Sequence, residues 1–153
     1  MQNGRDVYET AYRIPLLVRY PAAVPAGMVV QEVVSTVDFP QTLLGLLGLA
    51  PSGRAQGRDA SALLRGGRCE WANEAFLHHS EFDFAGIFTD RHELALARCG
   101  DHVLFDRVDD TDQIRNLFAE LSARGVVEDL AARVIEHNRA LGSPAMQWLA
   151  MPS

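Results

Sequence analysis

This sequence predicts an α/β fold in two unlike pieces: the tail of a mixed, mostly parallel sheet, then a small antiparallel sheet packed on a C-terminal helix. Three observations predict it. Ile14, Leu16, Leu17 and Val18 form a nearly unbroken apolar run, with Pro15 at its start and Pro21 stopping it. That is the pattern of a strand covered on both faces. From Glu74 to Arg107, short apolar runs alternate with turn residues, as in an antiparallel meander. Ala123 to Leu141 then carries one continuous helical period.

Taken in order, the opening strand is followed by a proline- and glycine-rich connection, and Met28 to Val34 (MVVQEVV) predicts a second strand. A helix follows. Asp38 suits its N-cap, Pro40 sits in the first turn where a missing N–H costs nothing, and Gln41 at N3 is placed to reach back as in a capping box. Phe39, Leu43 and Leu47 share one face of that helix, and Gly48 stops it. A glycine-punctuated loop carries a short helical turn around Ala60 to Leu64. The segments EAFLHHSEF, FAGIFTD, ELALARC and HVLFDR make the meander. After the acidic run Asp109 to Asp112, the long helix turns Val127, Leu130, Val134 and Leu141 to one side and ends at Gly142 and Pro144. The organisation expected is residues 1–66 as the end of an α/β domain and 67–153 as a small sheet-plus-helix subdomain.

Composition limits the function. The chain has 153 residues, enough for a real core, with 48% hydrophobic and 22% charged residues, as in globular proteins. A net charge of −6 argues against a nucleic-acid surface. No apolar run is long enough to span a bilayer and no basic-then-apolar leader opens the chain, so an intracellular, cytoplasmic setting is expected. All 14 basic residues are arginine, which leaves no lysine for Schiff-base chemistry. Cys69 and Cys99 make no C-x-x-C pair and read as ordinary buried thiols.

The order of these segments resembles the last third of a sulfatase, in the alkaline-phosphatase-like superfamily of metal-dependent ester hydrolases. Tyr8-Glu9 followed by Tyr12-Arg13-Ile14-Pro15-Leu16 is similar to a Tyr-Glu … Arg-(Val/Ile)-Pro-Leu segment leading into VRYP. Ser35 to Asp38 with Thr42, Leu43, Leu44 and Gly48 is similar to the helix S-x-x-D … P-T-L-L-x-L-x-G. Gln56-Gly57-Arg58-Asp59 with Leu63-Leu64 resembles the turn G-R-S-L … L-L. Phe105, Asp106, Asn116 and Leu117 are in step with ELYDLxxDPxExxNLA. The likeness runs from about Tyr8 to about Asn138.

The resemblance implies sulfate-ester hydrolysis in a complete enzyme, with a formylglycine nucleophile made in a Cys/Ser-x-Pro-x-Arg motif. It also implies a divalent cation, usually calcium, caged by oxygen ligands. This sequence contains no such motif, and neither cysteine has the required Pro and Arg. The family places a lysine just before Tyr-Glu. Here that interval holds Arg5 as its only cation, which makes Arg5 the one substrate-binding candidate, as a fork for an oxyanion.

Other polar groupings read as structural. Glu9 and Arg13 have ion-pair spacing and lock the entry to the strand, with a substrate clamp as the functional alternative. His78, His79, Ser80 and Glu81 bring metal- and nucleophile-type side chains together. On a strand, though, His78 and His79 point to opposite faces, and no elbow motif frames Ser80. Asp109, Asp110 and Asp112 lack the glycine and glutamate of a calcium loop, since Ile114 and Glu120 hold those places; Asp112 or Thr111 capping the next helix accounts for the run.

Two main readings result. In one, the chain is the C-terminal portion of a sulfatase-type hydrolase, inactive alone, with catalytic residues and metal ligands in the portion it lacks. In the other, it is a non-catalytic interaction module that self-associates or completes a sheet with a partner. Leaving four large side chains of the opening strand uncovered forfeits on the order of 6–12 kcal/mol, which favours a partner in either case. An enzyme working around His79 and Glu81 ranks third, because no nucleophile there has an evident base and orienter.

Overall fold

Four strands follow one another in a computed structural model, which describes residues 12–79, 84–142 and 147–149. They are β1 (Glu74–His79), β2 (Phe84–Thr89), β3 (His92–Ala97) and β4 (Val103–Asp106), and they form one sheet in the order β1-β2-β3-β4 with every neighbour antiparallel. The meander is as the turn spacing predicts. Phe76 pairs with Ile87, Ile87 with Leu94 and Leu94 with Leu104, so one row of side chains runs straight across the sheet.

Because side chains alternate along a strand, Ala85, Ile87, Leu94, Leu96 and Leu104 share one face. There they pack against Val127, Leu130, Ala131 and Val134 of a long helix. The other face is buried too. Phe84, Phe88, Glu93 and Phe105 lie on it, and the Tyr12 ring sits 6.3 Å from Phe84 and 6.2 Å from Phe88. Glu93 is held by the amide of Gln113, a buried residue with φ of 53°.

Three helices are described: α1 (Phe39–Leu46), α2 (Ser61–Leu64) and α3 (Arg124–Leu141). Gly48 ends α1 as expected, with a φ of 68° that suits glycine. Its N–H bonds to the carbonyl of Gly45 and that of Leu49 to the carbonyl of Leu44, the paired bonds of a Schellman motif. Gly142, at φ 62°, ends α3 in the left-handed conformation.

The chain folds as two compact units, one of Ile14–Asn73 and one of Glu74–Ser153 with Met1–Arg13. The first departs from expectation. Neither the opening run nor Met28 to Val34 is in a hydrogen-bonded strand, and Leu17 is 93% exposed. A strand needs a neighbour for its backbone groups, and the described residues of this unit supply none. Side chains serve part of the second segment instead: the Val33 N–H donates to Asn73 Oδ1 at 2.5 Å, and Trp71 Nε1 donates to the Val33 carbonyl at 3.1 Å. The expected tail of a parallel sheet is therefore not formed among the described residues, whereas the antiparallel sheet on its helix is.

The two units predict opposite mutational costs. Leu94→Ala should destabilise the protein by about 3–5 kcal/mol, because it removes the middle of a fully buried row, whereas Leu17→Ala should fall within ~0.5 kcal/mol of the native chain. Urea unfolding followed by far-UV circular dichroism measures both.

Candidate functional site

In the unit Ile14–Asn73 the densest polar cluster forms around Asp38, a residue only 1% exposed. Its Oδ2 accepts the Ser35 N–H at 2.9 Å and an Arg58 guanidinium N–H at 3.0 Å; its Oδ1 accepts the Arg58 backbone N–H at 2.7 Å. The guanidinium also donates to the Ala72 carbonyl at 2.5 Å and lies 4.0 Å from the centre of the Trp71 ring. Every hydrogen-bonding face of Arg58 that these contacts use is turned inward, onto the chain itself.

Thr42 and Gln41 extend the cluster. Thr42 Oγ1 donates to the Asp38 carbonyl at 2.7 Å and accepts the Ala60 N–H at 3.0 Å. Gln41 makes a two-way clamp on Ser52, donating from Nε2 to its carbonyl at 2.8 Å and accepting its N–H at 2.9 Å. This corrects the expected capping box from Gln41. The box sits one turn earlier, between Ser35 and Asp38, because a 3-10 turn over Thr36–Asp38 precedes α1 and puts Asp38 at its N3. The loop approaches so closely that a Cβ on Gly57 would overlap the Val37 carbonyl, and one on Gly45 the Asp59 carboxylate.

A second cluster centres on Asp106, at the end of β4. Arg91 donates to its Oδ2 from Nε at 3.0 Å and Nη2 at 2.7 Å, while its Oδ1 accepts the N–H groups of Val108 and Asp109, each at 3.0 Å. Burial pushes the Asp106 carboxyl upward, but the Asp109 N–H, Arg91 and the Val108 N–H outweigh it and hold the group below the usual carboxylate range. Hydrogen bonding to Asp106, with its charge and that of Asp109, raises Arg91 in turn.

The acidic run is spent on the same turn. Asp109 pairs with Arg91 at 2.7 Å, and Asp110 accepts the N–H groups of Ile114 and Arg115 at 3.1 and 2.8 Å. The expected helix after Asp112 does not form; helical structure resumes at Leu121, so neither Asp112 nor Thr111 caps one there. Asn116 instead closes the exposed edge of β4, accepting the Leu104 N–H at 3.0 Å and donating to the His102 carbonyl at 3.0 Å.

Among the remaining candidates, Arg5, Glu9, Ser80 and Glu81 lie outside the described residues, as does the side chain of His79. Arg13 and His78 are exposed. Cys69 and Cys99 are exposed as well, which corrects the expectation of buried thiols. Sequence reasoning did not single out His137, whose ring stacks on Phe76 at 3.8 Å and 4°. Burial, and then the charge of His78, push His137 below its ordinary value. The signal was available in the helical period, since His137 lies three residues after Val134 on the sheet-facing side.

No three His, Cys, Asp or Glu side chains among the described residues are grouped so as to hold a metal ion. The carboxylates of Asp38, Asp106, Asp109 and Asp110 are engaged by arginine or backbone N–H groups, so these two clusters do not fit the cation that the resemblance implies. No helix among the described residues is long and apolar enough to cross a membrane.

A family model described as N-sulphoglucosamine sulphohydrolase, C-terminal, matches residues 2–140. The chain is 32% identical over 83 residues to the N-acetylglucosamine-6-O-sulfatase of Bacteroides thetaiotaomicron, an alignment covering 52% of this chain and 15% of that protein. A protein solved in complex with its substrate D-glucosamine-2-N,6-O-disulfate superposes with a TM-score of 0.73 at 22% identity, over 88% of this chain and 30% of the other. The phosphonate monoester hydrolase of Agrobacterium radiobacter gives 0.58 at 21%, over 71% and 25%. At such identities the structural likeness is one of fold. The chain spans less than a third of each of these three proteins.

Asp38→Ala should cost about 2–3 kcal/mol, since it strips a charged acceptor from buried N–H donors. Trp71 fluorescence in a Trp148→Phe background, followed through urea unfolding, reads this unit alone. A second outcome concerns pH. The folded-state pKa of His137 lies below the unfolded value of 6.5, so the unfolded chain binds the extra proton and stability falls as pH drops below about 6.5. His137→Phe keeps the stacked ring and should flatten that slope relative to the native chain. The Asp106 contribution has its own window: it is present above the ordinary carboxylate value of 3.8 and is lost as pH falls through the lower folded value.

Proposed function

The chain belongs to the N-sulphoglucosamine sulphohydrolase C-terminal family, and from that premise we propose that it serves as the C-terminal portion of a sulfuric-ester hydrolase whose catalytic centre lies in polypeptide outside it. The observation that carries this reading is the family match over nearly the whole chain, joined to a span of only 30% of a solved structure with the same fold. Residues 1–66 correspond in this reading to the end of the α/β catalytic domain and 67–153 to the subdomain that follows.

The chemistry supports the assignment. Ester cleavage needs an activated nucleophile and positive charge placed on the developing oxyanion. The 153-residue sequence has no Cys/Ser-x-Pro-x-Arg stretch to make a formylglycine. The two described clusters direct their charged groups at backbone and at each other, around Asp38 and Asp106. Such groups fix loops. A carboxylate already engaged by arginine and two N–H donors is a poor base, and an arginine so engaged has little fork left for a sulfate. In this reading a divalent cation of the complete enzyme takes its ligands from elsewhere, and Arg5 is this chain's candidate to touch the ester.

A non-catalytic interaction module is the second reading, favoured by one observation: the exposed apolar residues of the unit Ile14–Asn73. The two readings differ in what the partner does.

The purified chain, supplied with calcium, should release no more sulfate from an aryl sulfate than a heat-denatured control. Turnover above that control, abolished in a variant such as Ser80→Ala or His79→Ala, would overturn the assignment and place a catalytic centre within these residues.

A further inference from the structure

α1 is inverted relative to an ordinary surface helix, which turns apolar residues in and polar ones out. Asp38, just before it, and Gln41 and Thr42 within it are buried, whereas Phe39, Leu43 and Leu47 are 48%, 43% and 52% exposed. Spacing of four places these three in one stripe. The same imbalance runs through the unit. Among the described residues Ile14–Asn73 buries three apolar side chains, Leu46, Ala60 and Leu63, and leaves nine large ones exposed. From Glu74 onward fourteen are buried and three exposed.

The polar inward face is not an accident of packing. Asp38, Gln41 and Thr42 each bond to the backbone of the loop that α1 carries, at Arg58, Ser52 and Ala60, so turning α1 over to bury its stripe would break those bonds. An apolar stripe fixed outward in this way marks a surface for contact with other protein. Two proteins that share this fold are much longer than this chain, which spans 30% of one and 25% of the other.

We propose that the Phe39–Leu43–Leu47 stripe is the surface on which the catalytic portion of a sulfatase-family hydrolase docks. The proposal rests on the assignment above and adds to it the face and the residues. Its partner surface is apolar and belongs to the larger, nucleophile-bearing part of the enzyme; a second copy of this chain is not the occupant.

The test co-expresses the tagged full chain with the Bacteroides thetaiotaomicron N-acetylglucosamine-6-O-sulfatase cut off before the residues that align with this chain, and quantifies what the tag captures. The native chain should capture the truncated hydrolase, and the Phe39→Glu/Leu43→Glu variant should capture about tenfold less or below. Val108→Glu/Ile114→Glu, exposed apolar positions of the other unit, should capture as the native chain does. Circular dichroism checks that the variants keep the native spectrum, and Leu47→Gln alone, with a smaller loss of capture, serves where the double variant does not. Equal capture by native and stripe variants would overturn the proposal. So would no capture by the native chain, or a native chain found only as its own dimer that the stripe substitutions dissociate. None of these touches the parent assignment, which fails separately if the chain alone turns over an aryl sulfate.

Discussion

One buried carboxylate decides how the unit Ile14–Asn73 is arranged. Asp38 accepts the Ser35 N–H, the Arg58 N–H and the Arg58 guanidinium, which come from two parts of the chain, one just before it and one twenty residues on. A carboxylate taken out of water is tolerated only when its lone pairs are met, so the loop carrying Arg58 must come to Asp38 rather than lie in solvent. Gly57 then has to be glycine, because the loop passes against the Val37 carbonyl. Once that loop is seated, its N–H groups at Ser52 and Ala60 fall to Gln41 and Thr42, and the inner side of α1 is committed to polar work. Its apolar side is left facing outward.

The sheet unit is organised on the contrary principle. Its core is apolar on the helix side, where Ile87, Leu94, Leu96 and Leu104 meet Leu130 and Val134, while polar groups lie on the other face, as Glu93 with Gln113, and at the turns. Asp106 turns the chain after β4, with Arg91 reaching across from the β2–β3 turn to neutralise it. Asn116 occupies the outer edge of β4, where an unpaired strand would otherwise invite another. Arg133 on α3 pairs with Glu74 on β1, tying the helix to the far edge of the sheet. This unit is closed in a way that the other is not.

What the sequence made legible follows the same division. Period and turn spacing located β1 to β4 and α3, because each is stabilised by contacts within the segment's own unit and its pattern therefore states its surroundings. Gly48 and Gly142 marked helix ends for a local reason, the left-handed φ that each adopts. The opening run was different. Ile14 to Val18 has the composition of a buried strand, but composition records the environment a segment is built for, and the described residues do not supply it. The face of α1 was legible as a stripe but not in direction, since the partners of Asp38, Gln41 and Thr42 lie ten to twenty residues away. As for the candidate site, the sequence identified Asp109, Asp110 and Asn116 as notable, and only the fold showed that Asp109 pairs with Arg91 while Asp110 and Asn116 accept backbone N–H groups.

Energetics make this inverted arrangement a coherent one. A polar cluster such as that around Asp38 contributes modest net stability, because each bond replaces one to water, yet it admits few alternative geometries. Apolar burial is the larger stabilising contribution in folded proteins. Phe39, Leu43 and Leu47 are each about half exposed, so covering them would add roughly half of the ~1.5–3 kcal/mol that a fully buried side chain contributes, or about 2–5 kcal/mol together. Against a total of ~5–15 kcal/mol for a typical domain, that is a large share. Under the docking proposed above, such a unit has its shape specified by internal polar bonds and its stability completed by the portion that covers the stripe.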